Sequence, residues 1–331
     1  MDERLVLVVG FAGVELIDVA CVTSAFDHAN RQGARPPYRL VLATPDGGPV
    51  ACDSGLALSA QERLDAVTGP VDTLVVSGGL GHEVAAADAR LVGQVRRLAA
   101  PARRVASVCT GASVLAAAGL LDRRRATTHW HYADGIAARF PRVLLDPEPV
   151  YVRDGPVSTS GGVTAALDLT LALVEEDHGA ELTRRVALGL LAYLHRAGDQ
   201  AQRSIFTDVP RGDAASVRRV TDHVFGHLAD DLEVTSLAAL VNVSPRHLSR
   251  LFVAQTGRTP ARYVRDARLE AAHQLVRASD CSLGSVARRC GFGSAETLRQ
   301  AFVVRFGVTP SQLRDSLDTA VTAPAGQDRP G

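Results

Sequence analysis

Two closely matching segments lie 50 residues apart in this 331-residue chain, SPRHLSRLFVAQTGRTP (244–260) and SAETLRQAFVVRFGVTP (294–310). Each begins with Ser, a good helix N-cap, and ends in Gly-x-Thr-Pro, where Gly suits the left-handed residue that stops a helix. Leu and Phe recur four positions apart in both copies, so they share one helix face. A short apolar helix and a tight turn precede each copy. This arrangement predicts a helix-turn-helix motif, twice.

The stretch between the two copies predicts one long helix over 260–278 that joins the motifs. Helical periodicity continues on both sides, so residues 216–318 are expected to form an all-α domain with two helix-turn-helix motifs. Residues 244–314 contain 12 Arg against 4 Asp and Glu, a net charge of 8 positive in a chain whose total is zero. A local positive excess of this kind favours a phosphate backbone as the partner.

This domain resembles the AraC/XylS DNA-binding domain, most closely in GFGSAETLRQAF and FGVTPSQLR. The resemblance implies that the second helix of each motif enters the major groove of double-stranded DNA. Arg side chains can pair with guanine, Glu can accept from cytosine and Gln can read adenine, although each position also fits a solvated surface. The candidate DNA-contacting residues are Arg246, His247, Ser249 and Arg250 in the first helix, and Glu296, Arg299 and Gln300 in the second.

The first 198 residues have a different pattern, in which short apolar runs alternate with helical stretches. These runs are RLVLVVG (4–10), YRLVLA (38–43), VDTLVVSGG (71–79) and RRVASVC (103–109). Continuous apolar strands between helices predict a doubly wound α/β domain with a parallel sheet. In such sheets ligands bind beyond the carboxyl ends of the strands.

Cys109 stands where one of these strands turns into the helix ASVLAAAGLL. A thiol at a helix N-terminus is stabilised as thiolate, so we expect the pKa of Cys109 to fall. Asp18 or Glu15 could hydrogen-bond the sulfur or relay a proton, and the amides of Gly78 and Gly79 could hold an oxyanion. The alternative is a structural cysteine buried at the end of a core strand.

The run CTGASVLAAAGLLDRRRATTHW (109–130) resembles the signature of the PfpI-like, class I glutamine amidotransferase-like superfamily, which has a flavodoxin-like fold. The likeness covers residues 4–190 and falls in the branch shared by isonitrile hydratases and GlxA-type regulators. It matches the acid, Cys and Thr of the hydratase pattern to Asp18, Cys109 and Thr110. Peptidase relatives carry His after the cysteine, so Thr110 disfavours that activity. His129 lies near the expected cleft and is interpreted as a packing or hydrogen-bonding residue.

Combined in one chain, the two domains resemble GlxA-type regulators. We expect a PfpI-like effector and dimerisation domain over 1–198, a linker over 199–215, the DNA-binding domain over 216–318 and a disordered tail over 319–331. The predicted function is a sequence-specific transcriptional regulator that works as a homodimer and senses a small molecule or oxidant near Cys109. RNA polymerase is a further candidate partner. In the alternatives, the first domain keeps cysteine-dependent hydratase, amidase or deglycase turnover, or its cleft is vestigial.

Several classes of protein are disfavoured by composition. The chain has no apolar run of membrane-spanning length and no signal peptide pattern, which predicts a cytoplasmic, nucleoid-associated protein without a membrane partner. Its five cysteines are odd in number and include no C-x-x-C pair. Disulfides and a zinc site are therefore disfavoured, and no metal or cofactor is expected.

Overall fold

The computed structural model describes residues 3–192, 196, 198–202, 215–278 and 281–314. The chain divides into two compact units, Met1–Gln202 and Arg203–Gly331. Most of the predicted linker (199–215) and all of the predicted tail (319–331) lie outside the described residues. Within the described ranges, none of the helices is both long and apolar enough to cross a bilayer.

The first unit is built from alternating strands and helices, as its apolar runs predict. Its elements are, in chain order, β1 (Arg4–Val9), α1 (Leu16–Arg31), β2 (Tyr38–Thr44), β3 (Val50–Ala51), β4 (Ala57–Leu58), β5 (Glu62–Arg63), β6 (Thr73–Val76), α2 (His82–Ala87), α3 (Ala89–Ala99), β7 (Arg104–Val108), α4 (Ala112–Ala117), β8 (Arg125–Ala126), α5 (Ala133–Arg139), β9 (Leu144–Leu145), β10 (Tyr151–Asp154), β11 (Val157–Ser160), α6 (Thr164–His178) and α7 (Ala180–Gly189).

Among the described residues, seven strands form one sheet in the order β10-β11-β7-β6-β1-β2-β5. Every pairing is parallel except β10 with β11. Successive central-strand residues are buried whichever face they point to, because helices cover both sides. The predicted doubly wound α/β fold is confirmed.

Each face of the sheet has its own apolar core. One core contains Leu7, Leu74 and Val105 and lies under the helices α3 and α4. The other contains Val8, Val75 and residues of α1 and α6. The strands β11, β7, β6 and β1 are consecutive neighbours and parallel, so the loops that follow them meet at the carboxyl end of the sheet. The strand order changes direction between β6 and β1, which is where ligands bind in sheets of this kind.

The second unit is all-α in its described residues, as expected. Its helices are α8 (Ala215–Gly226), α9 (Val234–Leu240), α10 (Pro245–Thr256), α11 (Pro260–Ala278), α12 (Leu283–Arg289) and α13 (Ala295–Phe306). The pairs α9–α10 and α12–α13 are the two predicted helix-turn-helix motifs, and α11 is the predicted spacer.

The repeated residues have the structural roles that the repeat predicts. Ser244 and Ser294 each accept a hydrogen bond from the amide three residues on, at 3.2 and 3.0 Å. Gly257 and Gly307 end α10 and α13 with φ of 69° and 73°, which is left-handed backbone. The four Leu and Phe side chains of the repeats are fully buried, at positions Leu248, Phe252, Leu298 and Phe302.

The spacer helix α11 packs against both motifs. Its first half places Tyr263 and Val264 in the core of the first motif, and its second half places Leu269 and Val276 in the core of the second. One continuous helix therefore fixes the separation and orientation of the two recognition helices, α10 and α13.

Candidate functional site

The residue Cys109 forms a strained elbow between β7 and α4. Its φ is 53°, in the left-handed region that non-glycine residues adopt only at a cost of about 1–3 kcal/mol. Close backbone contacts hold this geometry. A Cβ atom added to Gly78 would lie 2.5 Å from the Cβ of Cys109, and one added to Gly162 would lie 2.1 Å from it. The elbow therefore requires glycine on both sides.

Asp18 is the acid that faces this elbow. Its side chain is fully buried near the start of α1. One carboxylate oxygen accepts from the amide of Val163 at 2.6 Å and the other from the amide of Gly78 at 3.2 Å. The carboxylate also shares a hydrogen bond with the Cys109 thiol. Burial is the largest influence and raises the pKa of Asp18 to about 7, against the lowering effect of these bonds.

The expectation that the pKa of Cys109 falls is wrong. Burial, followed by the nearby negative charge of Asp18, raises the pKa of the thiol well above its ordinary value, and the hydrogen bond from the main-chain amide of Thr110 offsets only part of this. The side chain is 6% exposed. Cys109 begins a three-residue 3-10 turn that leads into α4, which has only six residues. The end of so short a helix stabilises a thiolate less than the loss of hydration destabilises it, so the pKa of the thiol rises. The raised pKa favours the protonated thiol at neutral pH.

The amides of Gly78 and Gly79 do not form the predicted oxyanion hole, because both are already hydrogen-bonded. The amide of Gly78 donates to Asp18, and that of Gly79 donates to the hydroxyl of Thr110 at 2.9 Å. The same hydroxyl donates to the carbonyl oxygen of Gly79, also at 2.9 Å. Thr110 thus fastens the loop after β6 to the elbow and is fully buried.

Two other candidate residues lie at the edge of this arrangement. Glu15 is the N-cap of α1 and accepts from the amide of Ile17 at 3.2 Å, so its hydrogen bond serves the helix rather than the thiol. The ring of His129 accepts from the amide of His131 at 3.2 Å and stacks on Trp130. Burial and the neighbouring His131 lower the pKa of His129. These contacts agree with a packing and hydrogen-bonding role for His129.

Sequence reasoning missed the loop after β11 and the histidine after β6. Gly162 and Val163 complete the site, and Val163 has a left-handed φ of 51°. The signal was a second Ser-Gly-Gly, at 160–162, that repeats Ser77-Gly78-Gly79 after another strand. His82 is buried, and its Nδ1 lies 2.9 Å from the Oγ of Ser113. Both line a cavity of about 160 Å³ beside α4, together with Tyr132 and Arg139.

The two recognition helices differ in what they present to solvent. On α10, Arg246 and Arg250 are exposed and His247 and Ser249 are half-buried. Arg250 donates to the His247 ring at 3.1 Å.

On α13, Glu296 accepts two hydrogen bonds from Arg299, at 2.8 and 2.7 Å, and one from Gln300 at 2.9 Å. The bond from Arg299 is the main reason that the pKa of Glu296 falls to about 2. The first helix therefore offers positive charge, whereas the second offers a linked and nearly neutral cluster.

Metal binding has no candidate among the described residues, because no three His, Cys, Asp or Glu side chains there are close enough to share an ion.

The chain matches known proteins over both units. The DJ-1/PfpI family profile matches residues 4–176, and a helix-turn-helix domain profile matches residues 237–316. The HTH-type transcriptional regulator GlxA of Rhizobium meliloti is 33% identical over 326 residues, which is 95% of this chain and 97% of the relative. The HTH-type transcriptional regulator CdhR of Pseudomonas aeruginosa is 32% identical over 300 residues, 88% of each chain.

A solved structure also matches the fold. The crystal structure of a ThiJ/PfpI family protein from Pseudomonas syringae superposes with a TM-score of 0.52 at 22% identity. It covers 81% of this chain and 90% of its own.

Asp18 is expected to titrate near neutral pH. Its pKa moves from 3.8 to about 7 on folding, so between these values the folded chain keeps a proton that the unfolded chain has lost. This group therefore lowers the free energy of unfolding as the pH rises through that window, and adds no further slope above it. Infrared difference spectra of wild type minus Asp18→Asn should show a carboxyl band that disappears with a midpoint near pH 7. The surface variant Asp46→Asn should leave the band unchanged, and a midpoint near the 3.8 of a free Asp would contradict the assignment.

Proposed function

Because this chain belongs to the GlxA-type transcriptional regulators, with a DJ-1/PfpI domain and an AraC-type helix-turn-helix domain, we propose that a small molecule bound near Cys109 controls its binding to DNA. DNA binding and transcription regulation follow from the family, and the chain is a regulator rather than an enzyme. The observation that supports DNA binding most strongly is the joining of two recognition helices by one shared helix, α11.

The first recognition helix is proposed to supply most of the base and phosphate contacts. Arg246 and Arg250 are exposed near its N-terminal end, which is the part of a recognition helix that reaches base edges. On the second helix, the oxygens of Glu296 are occupied by Arg299 and Gln300. Glu296 can accept from cytosine only if one of these bonds is exchanged, so we assign the second helix a smaller share of sequence discrimination.

Arg250→Ala should weaken binding to the preferred DNA and relax its base preference. Loss of one bidentate contact to guanine costs about 1–3 kcal/mol of discrimination. Binding by the full chain would be measured at several salt concentrations on a sequence selected from a randomised pool, beside a scrambled sequence. Wild-type affinity should fall steeply with salt because counterions are released. Arg184→Ala, which removes an exposed Arg from α7 of the first unit, is the matched control and should bind as wild type. A flat salt response would contradict DNA binding through phosphates.

The cleft at Cys109 is proposed as a non-covalent effector site. A buried thiol with a raised pKa reacts slowly with oxidants, since thiolate is the reactive form. This argues for a bound small molecule over an oxidant. The same features, with the amides of Gly78 and Gly79 already hydrogen-bonded, also argue against hydratase, amidase or deglycase turnover. A cavity of about 160 Å³, lined by Ser113 four residues after Cys109 in the chain and by His82, offers room for part of a ligand.

Cys109→Ala should alter the response of DNA affinity to an effector. The test screens small polar metabolites for any that changes the affinity of the full chain for its selected DNA, and then repeats the titration with the variant. A shift of at least severalfold in the effector concentration at half response is expected, since coupling free energies are typically about 1–3 kcal/mol. Cys281→Ala, at a half-buried cysteine of the second unit, is the control. An identical response in wild type and Cys109→Ala would remove the proposed site.

A homodimer formed through the first unit is the remaining part of the proposal. Leu80 and Val84 are 65% and 78% exposed, and apolar side chains exposed at neighbouring positions favour association. Sedimentation equilibrium of the full chain should give twice the mass of the chain, and Val84→Asp should lower it toward one chain. Val304→Asp, at a position 78% exposed on α13, serves as the control. A monomeric wild type would disprove the dimer.

We place the regulator in the cytoplasm with the nucleoid, and RNA polymerase stays a candidate partner.

A further inference from the structure

The exit segment, residues 198–202, is the last described stretch before the second unit, and it is paired with the body of the first unit. The amide of Val150 donates to the carbonyl oxygen of Gln200 at 2.8 Å. The amide of Gln202 donates to the carbonyl oxygen of Glu148 at 2.8 Å, and Pro149 and Ala201 form an antiparallel bridge. The exit segment thus adds a short antiparallel pairing next to β10.

The side chain of Gln202 fastens the end of the exit segment. Its Nε2 donates to the carbonyl oxygen of Thr128 at 2.7 Å, to the hydroxyl of Thr127 at 2.9 Å and to the carbonyl oxygen of Pro149 at 3.1 Å. Its Oε1 accepts from the amide of Trp130 at 3.1 Å. Gly161 leaves the space that this side chain occupies, because a Cβ there would lie 2.4 Å from the Gln202 Cδ.

The same Thr128 that holds Gln202 also holds the strained elbow. Its hydroxyl donates to the carbonyl oxygen of Cys109 at 2.8 Å. The buried Thr128 therefore links the left-handed main chain of Cys109 to the end of the exit segment through two hydrogen bonds.

A second fastening leads to the same site. Arg196 donates to both carboxylate oxygens of the buried Asp168, through its amide at 2.7 Å and its Nε at 2.8 Å. Asp168 lies on α6, which begins directly after Val163, the residue whose amide binds Asp18. The segment that leads to the DNA-binding unit is thus attached at two points, at Thr128, which binds Cys109, and at Asp168, one turn into the helix that follows Val163.

We propose that the exit segment is a release element governed by the Cys109 elbow. When the elbow relaxes from its left-handed conformation, its carbonyl group turns away from Thr128, the loop at 127–128 shifts, and Gln202 loses its acceptors. The point at which the chain leaves the first unit then moves from Gln202 back toward Arg196. Six further residues of chain span on the order of 20 Å when extended. This inference rests on the proposed function for its trigger, an effector at Cys109. The coupling between the elbow and the exit segment exists in the chain without a ligand and can be tested there.

Hydrogen exchange on the full chain without ligand tests the coupling in both directions. Gln202→Glu places a carboxylate against the carbonyl oxygens of Thr128 and Pro149, and Gly161→Ala displaces the Gln202 side chain by a separate route. Both variants should speed exchange on the order of tenfold in peptides covering 148–151 and 198–202, and also in the elbow peptide 105–115.

Thr128→Val, which removes the hydroxyl bond to Cys109, should speed exchange in 198–202. Gln94→Glu makes the same charge change on α3 and should leave all three peptides unchanged.

The outcomes separate this inference from the proposed function. If Gln202→Glu and Gly161→Ala affect only 148–151 and 198–202, and Thr128→Val leaves 198–202 at the wild-type rate, the exit segment is a structural anchor and the coupling is wrong. The affinity of Gln202→Glu for the selected DNA at fixed salt should differ at least threefold from that of Gln94→Glu, and equal affinities would overturn its role in DNA binding. Coupling without any effector that changes DNA affinity would count against the proposed function alone.

Discussion

The buried carboxyl group of Asp18 is the interaction on which the site depends, because it joins four separate parts of the first unit. It comes from α1, accepts from the loop after β6 through Gly78 and from the loop after β11 through Val163, and bonds the thiol that follows β7. These strands are neighbours in the sheet, so one side chain connects the carboxyl ends of its centre. Such a group must be nearly fully hydrogen-bonded to be tolerated there, and two main-chain amides and a thiol meet that demand. The proximity of its pKa to 7 follows from the same burial.

Much of the architecture could be predicted from the sequence because the signals are local. The recurrence of Ser, Leu, Phe and Gly within each repeat encodes a cap, a buried face and a stop, and Ser294, Phe302 and Gly307 fill those roles. The strands β1, β2, β6 and β7 could be predicted from continuous apolar runs. Parallel strands that are covered on both faces are apolar throughout, without alternating polar and apolar residues. The short strands β3, β4, β8 and β9 have two residues each, too few to produce a pattern.

The chemistry of the site was less predictable, because it depends on groups far apart in the chain. A helix after Cys109 suggested an activated thiol, but its pKa is set by burial and by an acid 91 positions earlier. Asp18 and Thr110 accept hydrogen bonds from the amides of Gly78 and Gly79, and the sequence around these glycines does not indicate either bond. The left-handed φ of Val163 has no sequence signal, since a β-branched residue is among the least suited to it. Only tertiary contacts decide these features.

The proposed switch at this elbow fits the burial of the thiol and the hydrogen-bonded amides better than a catalyst does. A catalytic thiol needs exposure, a lowered pKa and free donors for developing charge, and Cys109 has a buried position, a raised pKa and neighbouring amides that are already hydrogen-bonded. A switch instead needs two conformations that differ by a small free energy. Left-handed backbone at Cys109 and Val163 stores about 1–3 kcal/mol each, which matches the 1–3 kcal/mol typical of allosteric coupling. A ligand that binds the relaxed backbone at either residue more tightly by about 1–3 kcal/mol would, through this coupling, change DNA affinity between about fivefold and 150-fold.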